Sequence, residues 1–226
     1  LYNMNPIEKL LNVIAPEYCI ECGKENYLFC PSCYNSNPKL GSICYICQKA
    51  TSQNMPCAKH LTKNSPDKVY CLNKYEGNIK NYLTLYKFET KRSAGYEIAK
   101  YINDDLPIIP EDFLVTWVPT TQKRIRQNGY DHSYLIAKNF AKLRKLKYQK
   151  LIKRDASEPL HNLSKKDRLK LIGNYYHLEN ERQKIQSKVL LIDDIATTGA
   201  TISYIAKMLR KNGAKEIIAC VFAKTY

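Results

Sequence analysis

The apolar positions of this chain fall into short blocks whose spacing changes along its length. Ile7, Leu10, Leu11 and Ile14 stand at i, i+3, i+4 and i+7 behind Asn5-Pro6, which predicts a short amphipathic helix ending at Pro16. Residues 58–68, with Asn, Ser, Pro and Lys, read as a linker. Beyond it, strand-like and helix-like blocks alternate. Val69–Tyr75 reads as a strand; Ile79, Tyr82, Leu83 and Tyr86 mark one helix face and Ala94, Ile98, Ala99 and Ile102 another. Phe113–Val118 reads as a strand stopped by Pro119, and Leu135, Ile136, Phe140 and Leu143 as a helix that is basic on its other side. Leu151-Ile152 is a short strand candidate. Val189–Ile192 is unbroken apolar sequence, as expected for a parallel strand covered on both faces. A helix follows with Ile202, Ile205, Met208 and Leu209, ending at Asn212-Gly213, and Glu216–Phe222 is the next strand. The alternation predicts an α/β fold around a mainly parallel sheet with helices on both faces.

Composition narrows the class. The 226 residues are 44% hydrophobic and 25% charged, which is globular composition with room for one domain and a small module. No apolar run approaches the length of a membrane span, and Leu1–Pro6 does not open like a secretory signal, so a cytoplasmic location is expected. The net charge is +15, and residues 123–170 alone hold 15 basic against 4 acidic residues. An AT-rich codon bias would scatter lysines; their concentration points to polyanionic partners: nucleic acid, phosphorylated metabolites, or both.

Nine cysteines are present and seven lie between residues 19 and 57. They form the pairs Cys19/Cys22, Cys30/Cys33 and Cys44/Cys47, and Cys57 is followed three positions on by His60. A C-x-x-C turn aims two sulfurs at one point, which is half of a tetrahedral zinc site, whereas a disulfide across so short a loop is strained. Four half-sites make one or two structural zinc ions, with Cys19, Cys22, Cys30, Cys33, Cys44, Cys47, Cys57 and His60 as candidate ligands. Sequential pairing and a crossed arrangement that joins the first and third pairs fit the spacing equally well, and His60 is the weakest candidate. A module this small needs metal for its stability, so residues 1–62 are expected to form a zinc module ahead of a domain over 69–226. Cys71 and Cys220 sit in strand-like runs and read as buried small hydrophobes.

The stretch Val189-Leu190-Leu191-Ile192-Asp193-Asp194-Ile195-Ala196-Thr197-Thr198-Gly199-Ala200-Thr201 carries the chemistry. A buried strand delivers two acids at its C-terminal end, where open α/β sheets bind ligands. A loop then aims backbone N–H groups and three hydroxyls at one anion beside a helix N-terminus. Phosphate in the loop, with sugar hydroxyls or a magnesium ion on the carboxylates, gives a ribose 5-phosphate derivative as the ligand. Lys123, Arg124 and Arg126 are placed to neutralise a pyrophosphate.

This stretch resembles the PRPP-binding signature of type I phosphoribosyltransferases. The resemblance makes Asp193 and Asp194 the ribose-binding and catalytic pair. It makes Ala196, Thr197, Thr198, Gly199, Ala200 and Thr201 the 5-phosphate loop, and it brings Mg2+ with PRPP. A cysteine-pair module joined to such a domain is similar, over nearly the whole chain, to the ComF family. Further residues agree: Trp117-Val118-Pro119, with Thr120, Lys123, Arg124 and Arg126 behind, resembles the family's pyrophosphate loop. Arg154, His161, Leu163, Arg168 and Asn174 resemble its Arg…Gln…Leu…Arg…Asn stretch, and Lys87 matches a lysine the family carries. Asn128-Gly129-Tyr130-Asp131-His132 keeps only the glycine and the aromatic character of the usual Arg-Gly-Phe-Asn-Gln. The resemblance implies single-stranded DNA handling during DNA uptake, alongside a helicase and other competence proteins, and the 18 tyrosines offer stacking surfaces for bases. The alternative is a working transferase that moves ribose 5-phosphate from PRPP to a nitrogenous base, although no segment reads as a base-recognising hood. A PRPP-sensing regulator would need a duplex-reading helix-turn-helix, which the pattern lacks.

Overall fold

A computed structural model describes residues 16–89, 91–155, 172–182 and 184–226. The helix expected around Ile7–Ile14, and residues His161, Leu163 and Arg168, lie outside the described residues. The strands are β1 (Lys68–Lys74), β2 (Leu114–Trp117), β3 (Lys147–Tyr148), β4 (Ile152–Arg154), β5 (Tyr176–Leu178), β6 (Lys188–Ala196) and β7 (Glu216–Lys224). The helices are α1 (Pro31–Ser36), α2 (Gly77–Phe88), α3 (Ser93–Asp105), α4 (Gln122–Asn128), α5 (His132–Arg144) and α6 (Ala200–Lys211). Five strands form an all-parallel sheet in the order β1-β7-β6-β2-β3, and β4 and β5 pair antiparallel as a separate ribbon.

Strand alternation divides the core in two. Leu190 and Ile192 of β6, with Cys220 and Phe222 of β7, pack with α2, α3 and α5 on one face. Val189 and Leu191, with Ala219 and Val221, pack with α6 and the β4–β5 ribbon on the other. Both cysteines expected in the core, Cys71 and Cys220, are buried. Three expectations shift. β6 runs beyond Ile192 to Ala196 because β7 accompanies it to Lys224, and it carries the two acids near its C-terminal end as expected. On α5 the buried stripe is Ile136, Ala137, Phe140 and Ala141, while Leu143 is 38% exposed; small alanines fill the space a leucine was expected to take. Residues 58–68 are tied down rather than free: Ser65 is buried, the Asp67 N–H donates to the Ile217 carbonyl, and Arg210 on α6 bonds the Asp67 carboxylate at 2.7 Å.

The cysteine-rich segment straddles the β1 edge of the sheet. Lys39 bridges to Asn73 and the Leu40 N–H donates to the Leu72 carbonyl, so the segment covers an edge that would otherwise expose unpaired backbone groups. Its first half lies on the α2/α3 face, where Phe29 and Tyr34 join an aromatic cluster with Tyr82, Tyr101 and Phe222; Tyr34 stacks on Tyr101 with centroids 3.8 Å apart. Its second half lies on the α6 face through Tyr45. Among the described residues no helix is long and apolar enough to cross a membrane.

Candidate functional site

The sulfurs pair in sequence order, which decides between the two arrangements left open by spacing. Cys19, Cys22, Cys30 and Cys33 form one cluster, and Cys44, Cys47, Cys57 and His60 the other, with ligand atoms within 4.8 Å of one another in each. The first is built by a turn ending at left-handed Gly23 and by the N-terminus of α1, whose Cys30 precedes Pro31. The second combines the Cys44–Cys47 turn with the Cys57–His60 turn, and His60 joins through Nδ1, 3.2 Å from Cys57 Sγ and 3.5 Å from Cys44 Sγ. Zinc bonds of about 2.3 Å to sulfur would set the edges of a tetrahedral sulfur cluster at about 3.8 Å. Cys22–Cys30 at 3.6 Å and Cys47–Cys57 at 3.7 Å match that span. Burial works against ionising Cys44, but the backbone N–H groups of Cys47, Cys57 and Ile46 outweigh it and hold the thiol at about 6; backbone N–H groups do the same for Cys19, at about 7. Burial instead pushes the Cys33 thiol up. The donor set, spacing and thiolate character fit structural zinc at both clusters.

The acids lie elsewhere, near the C-terminal end of β6 and next to the end of β2. From β2 the chain proceeds through α5 to β3 on one side; from β6 it proceeds through α6 to β7 on the other. The strand order therefore diverges between β2 and β6, which opens a crevice at the sheet's carboxyl end. β2 stops pairing near Val118, whose N–H still donates to the Ile192 carbonyl; beyond it β6 keeps only β7 as a partner. A cavity of about 200 Å³ occupies the opening. Asp193, Asp194 and Thr201 line it from β6 and the start of α6, and Pro119, Thr120 and Arg124 from the β2 side. Lys87, His132 and Ser133 close it from α2 and α5, and Arg154 and Tyr176 from the β4–β5 ribbon.

Asp193 and Asp194 are both buried. Burial raises the Asp193 carboxyl well above the usual carboxylate range, the neighbouring Asp194 raises it further, and Lys87 works the other way. Asp194 is held by Lys87, whose Nζ lies 2.9 Å from Oδ2, and its backbone N–H donates to Asp193 Oδ1 at 3.0 Å. Lys87 is thus a built-in counter-ion of the acid pair. Arg154 brings a second cation: its guanidinium sits 5.2 Å from the Tyr176 ring centroid, and its buried Nε has no hydrogen-bond partner among the described residues. Burial lowers the pKa of His132, which keeps that ring neutral at pH 7.

The loop after β6 turns through Thr197 and Thr198 to Gly199, whose φ of +75° is the left-handed conformation glycine adopts without strain. Gly199 caps α6, and the Ala200 N–H donates to Thr198 Oγ1. Of the expected pyrophosphate residues, Thr120 and Arg124 reach the cavity; Lys123 and Arg126 are exposed on α4 and do not line it. The departures at 128–132 have a structural account. Asn128 donates to the Lys87 carbonyl at 2.8 Å, and Asp131 accepts from the N–H groups of Thr120 and Tyr134, which pins the β2 loop to α5. Tyr176 and Ser133 carried no sequence signal, because they reach the site only through the ribbon and the first turn of α5.

Residues 136–225 match the model of the phosphoribosyl transferase domain. The DNA utilization protein YhgH of Salmonella typhi is 22% identical over 207 residues, covering 81% of this chain and 90% of that protein. The competence protein ComFC of Streptococcus pneumoniae is 23% identical over 195 residues, covering 86% of this chain and 79% of that one. Over most of its length the chain is similar to competence and DNA utilization proteins of the ComF type. Competence protein F of Haemophilus influenzae is 30% identical over 103 residues, 44% of this chain and 45% of that protein. A hypoxanthine-guanine phosphoribosyltransferase structure from Bacillus anthracis is 18% identical over 59% of this chain and 68% of that one, with a TM-score of 0.35. The chain thus pairs a phosphoribosyltransferase-like domain with two cysteine clusters of zinc-binding type.

Proposed function

We infer that this chain binds PRPP, or a related ribose 5-phosphate compound, with Mg2+ in the β2/β6 crevice, and that it handles single-stranded DNA during DNA uptake. The observation that carries the ligand is the facing of two buried acids by Lys87, Arg124 and Arg154 across one small cavity. Asp193 and Asp194 would hold the ribose hydroxyls or the magnesium ion, which supplies charge neutralisation for the phosphates. Thr201 and the backbone N–H groups at the start of α6 would take the 5-phosphate. Thr120 and Arg124 would take the pyrophosphate, with Arg154 opposite. Lys123 and Arg126, being outside the cavity, belong to a basic surface instead.

That surface supports the DNA reading. Lys145 and Lys147 are exposed at β3 with Tyr148, 37% exposed, beside them; Lys150, paired with Glu179 at 2.9 Å, follows β3, and Lys153 is exposed on β4 of the ribbon. A basic row with an aromatic on an open edge suits a phosphate backbone with unstacked bases. An active transferase is the second reading, favoured by the cations opposite the acids, since a leaving pyrophosphate needs such neutralisation. Fluorescence anisotropy with a labelled single strand over a salt series tests the DNA function: affinity should fall steeply as salt rises. Absence of binding at low salt would remove that function. Pyrophosphate release from PRPP on adding a nitrogenous base would establish the second reading in its place.

A further inference from the structure

The second cysteine cluster stands directly behind the phosphate loop. Tyr45 lies within the Cys44–Cys47 turn and is 1% exposed. Its ring packs so closely on Gly199 that a Cβ there would lie 2.7 Å from Tyr45 Cδ2 and 3.1 Å from its carbonyl oxygen. Its hydroxyl is 2.7 Å from Ser203 Oγ, and that oxygen is in turn 3.0 Å from the Gly199 carbonyl. A second route runs from the same turn: Gln48 Nε2 donates to the Thr225 carbonyl, which also accepts from buried Lys224, and Lys224 donates to the Thr197 carbonyl. Both ends of the loop are therefore braced by residues 44–48, whose own shape depends on what gathers Cys44, Cys47, Cys57 and His60.

We propose that zinc held by Cys44, Cys47, Cys57 and His60 sets the phosphate loop through Tyr45, so that metal retention at this cluster and binding of a phosphorylated pentose reinforce each other. Tyr45 is a positioning residue: it touches the loop and not the ligand. The inference rests on the crevice being a sugar-phosphate site. Gly199 has a second reason to lack a side chain, beyond its φ, because the ring occupies the space a Cβ would need. Coupling is reciprocal by linkage: whatever the metal contributes to ligand affinity, the ligand returns as metal retention. The first cluster lies on the opposite face of the sheet, against α3, and has no such contact with the loop among the described residues.

The test uses the zinc-loaded full chain, a chromogenic chelator to follow zinc release, and ribose 5-phosphate as the probe. Calorimetry first establishes whether the probe binds. Saturating ribose 5-phosphate should slow one of two release phases by about fivefold or more, the lower end of ordinary coupling, and leave the other unchanged. Tyr45→Ala should weaken the probe by a similar factor and abolish its effect on release, while Tyr45→Phe, which keeps the ring on Gly199, should retain a measurable slowing. A probe that binds wild type yet changes neither phase overturns this inference alone. A probe that fails to bind wild type overturns the reading of the crevice and this inference with it.

Discussion

Glu97 offers the sharpest test of how the cysteine module is joined to the sheet. It sits on α3, 6% exposed, and accepts hydrogen bonds from the backbone N–H groups of Leu28 (2.9 Å) and Phe29 (3.1 Å) and from the Tyr82 hydroxyl (2.9 Å). Those donors favour the carboxylate, yet burial outweighs them and pushes the carboxyl from an ordinary 4.5 up to about 7. A displacement of that size corresponds to about 3 kcal/mol. Its sign follows from proton binding: the folded carboxyl holds its proton more tightly than the unfolded one. The contribution is therefore complete below the unfolded value of 4.5 and is lost as pH rises to about 7. Glu97→Gln removes the titration and leaves one buried N–H without an acceptor, a deficit of about 1–3 kcal/mol. Thermal melts of zinc-loaded wild type and variant should show wild type ahead at about pH 6 and its lead narrowed by about 1.4 kcal/mol at about pH 8.5, roughly 3–5 °C in Tm. Zinc stability is common to both proteins and cancels in the difference. A gap that stays constant across that range would refute a protonated Glu97 at the joint.

Other outcomes follow from the same contacts. Lys87→Met leaves two adjoining buried carboxylates without their cation and should destabilise the fold by about 3–5 kcal/mol, less at low pH where the pair keeps a proton; a Tm deficit independent of pH would contradict this. Metal analysis should find two zinc ions per chain, and Cys22→Ser should leave one. Chelation should then abolish the near-ultraviolet dichroism of the Tyr34–Tyr101 stack, because the module's position depends on metal.

Much of this was legible in the sequence, for identifiable reasons. Val189–Ile192 announced a doubly covered parallel strand because a strand packed on both faces favours an unbroken apolar run. The acid pair and the threonine loop marked the candidate site, and Asp193, Asp194 and Thr201 do line one cavity. The cysteine turns marked clusters of zinc-binding type, but their pairing had to come from folding, since spacing permits either arrangement. The docking of the module was not legible. It depends on Glu97, Tyr34 and Tyr45 meeting groups far away in the chain, and an inward-facing tyrosine looks like any other in sequence. The same holds for the crevice: Arg154 and Tyr176 reach it from a two-stranded ribbon whose three-residue strands carry too little periodicity to read.

The central claim is that the β2/β6 crevice binds a phosphorylated pentose through Asp193 and Asp194. Calorimetric titration of the zinc-loaded chain with PRPP and Mg2+ tests it, with Asp193→Asn as the isosteric variant and a Tm measurement as the control for folding. Saturable one-to-one binding by wild type, lost in a variant that melts close to wild type, is the predicted result. Equal binding by wild type and variant, or none by wild type, would contradict it.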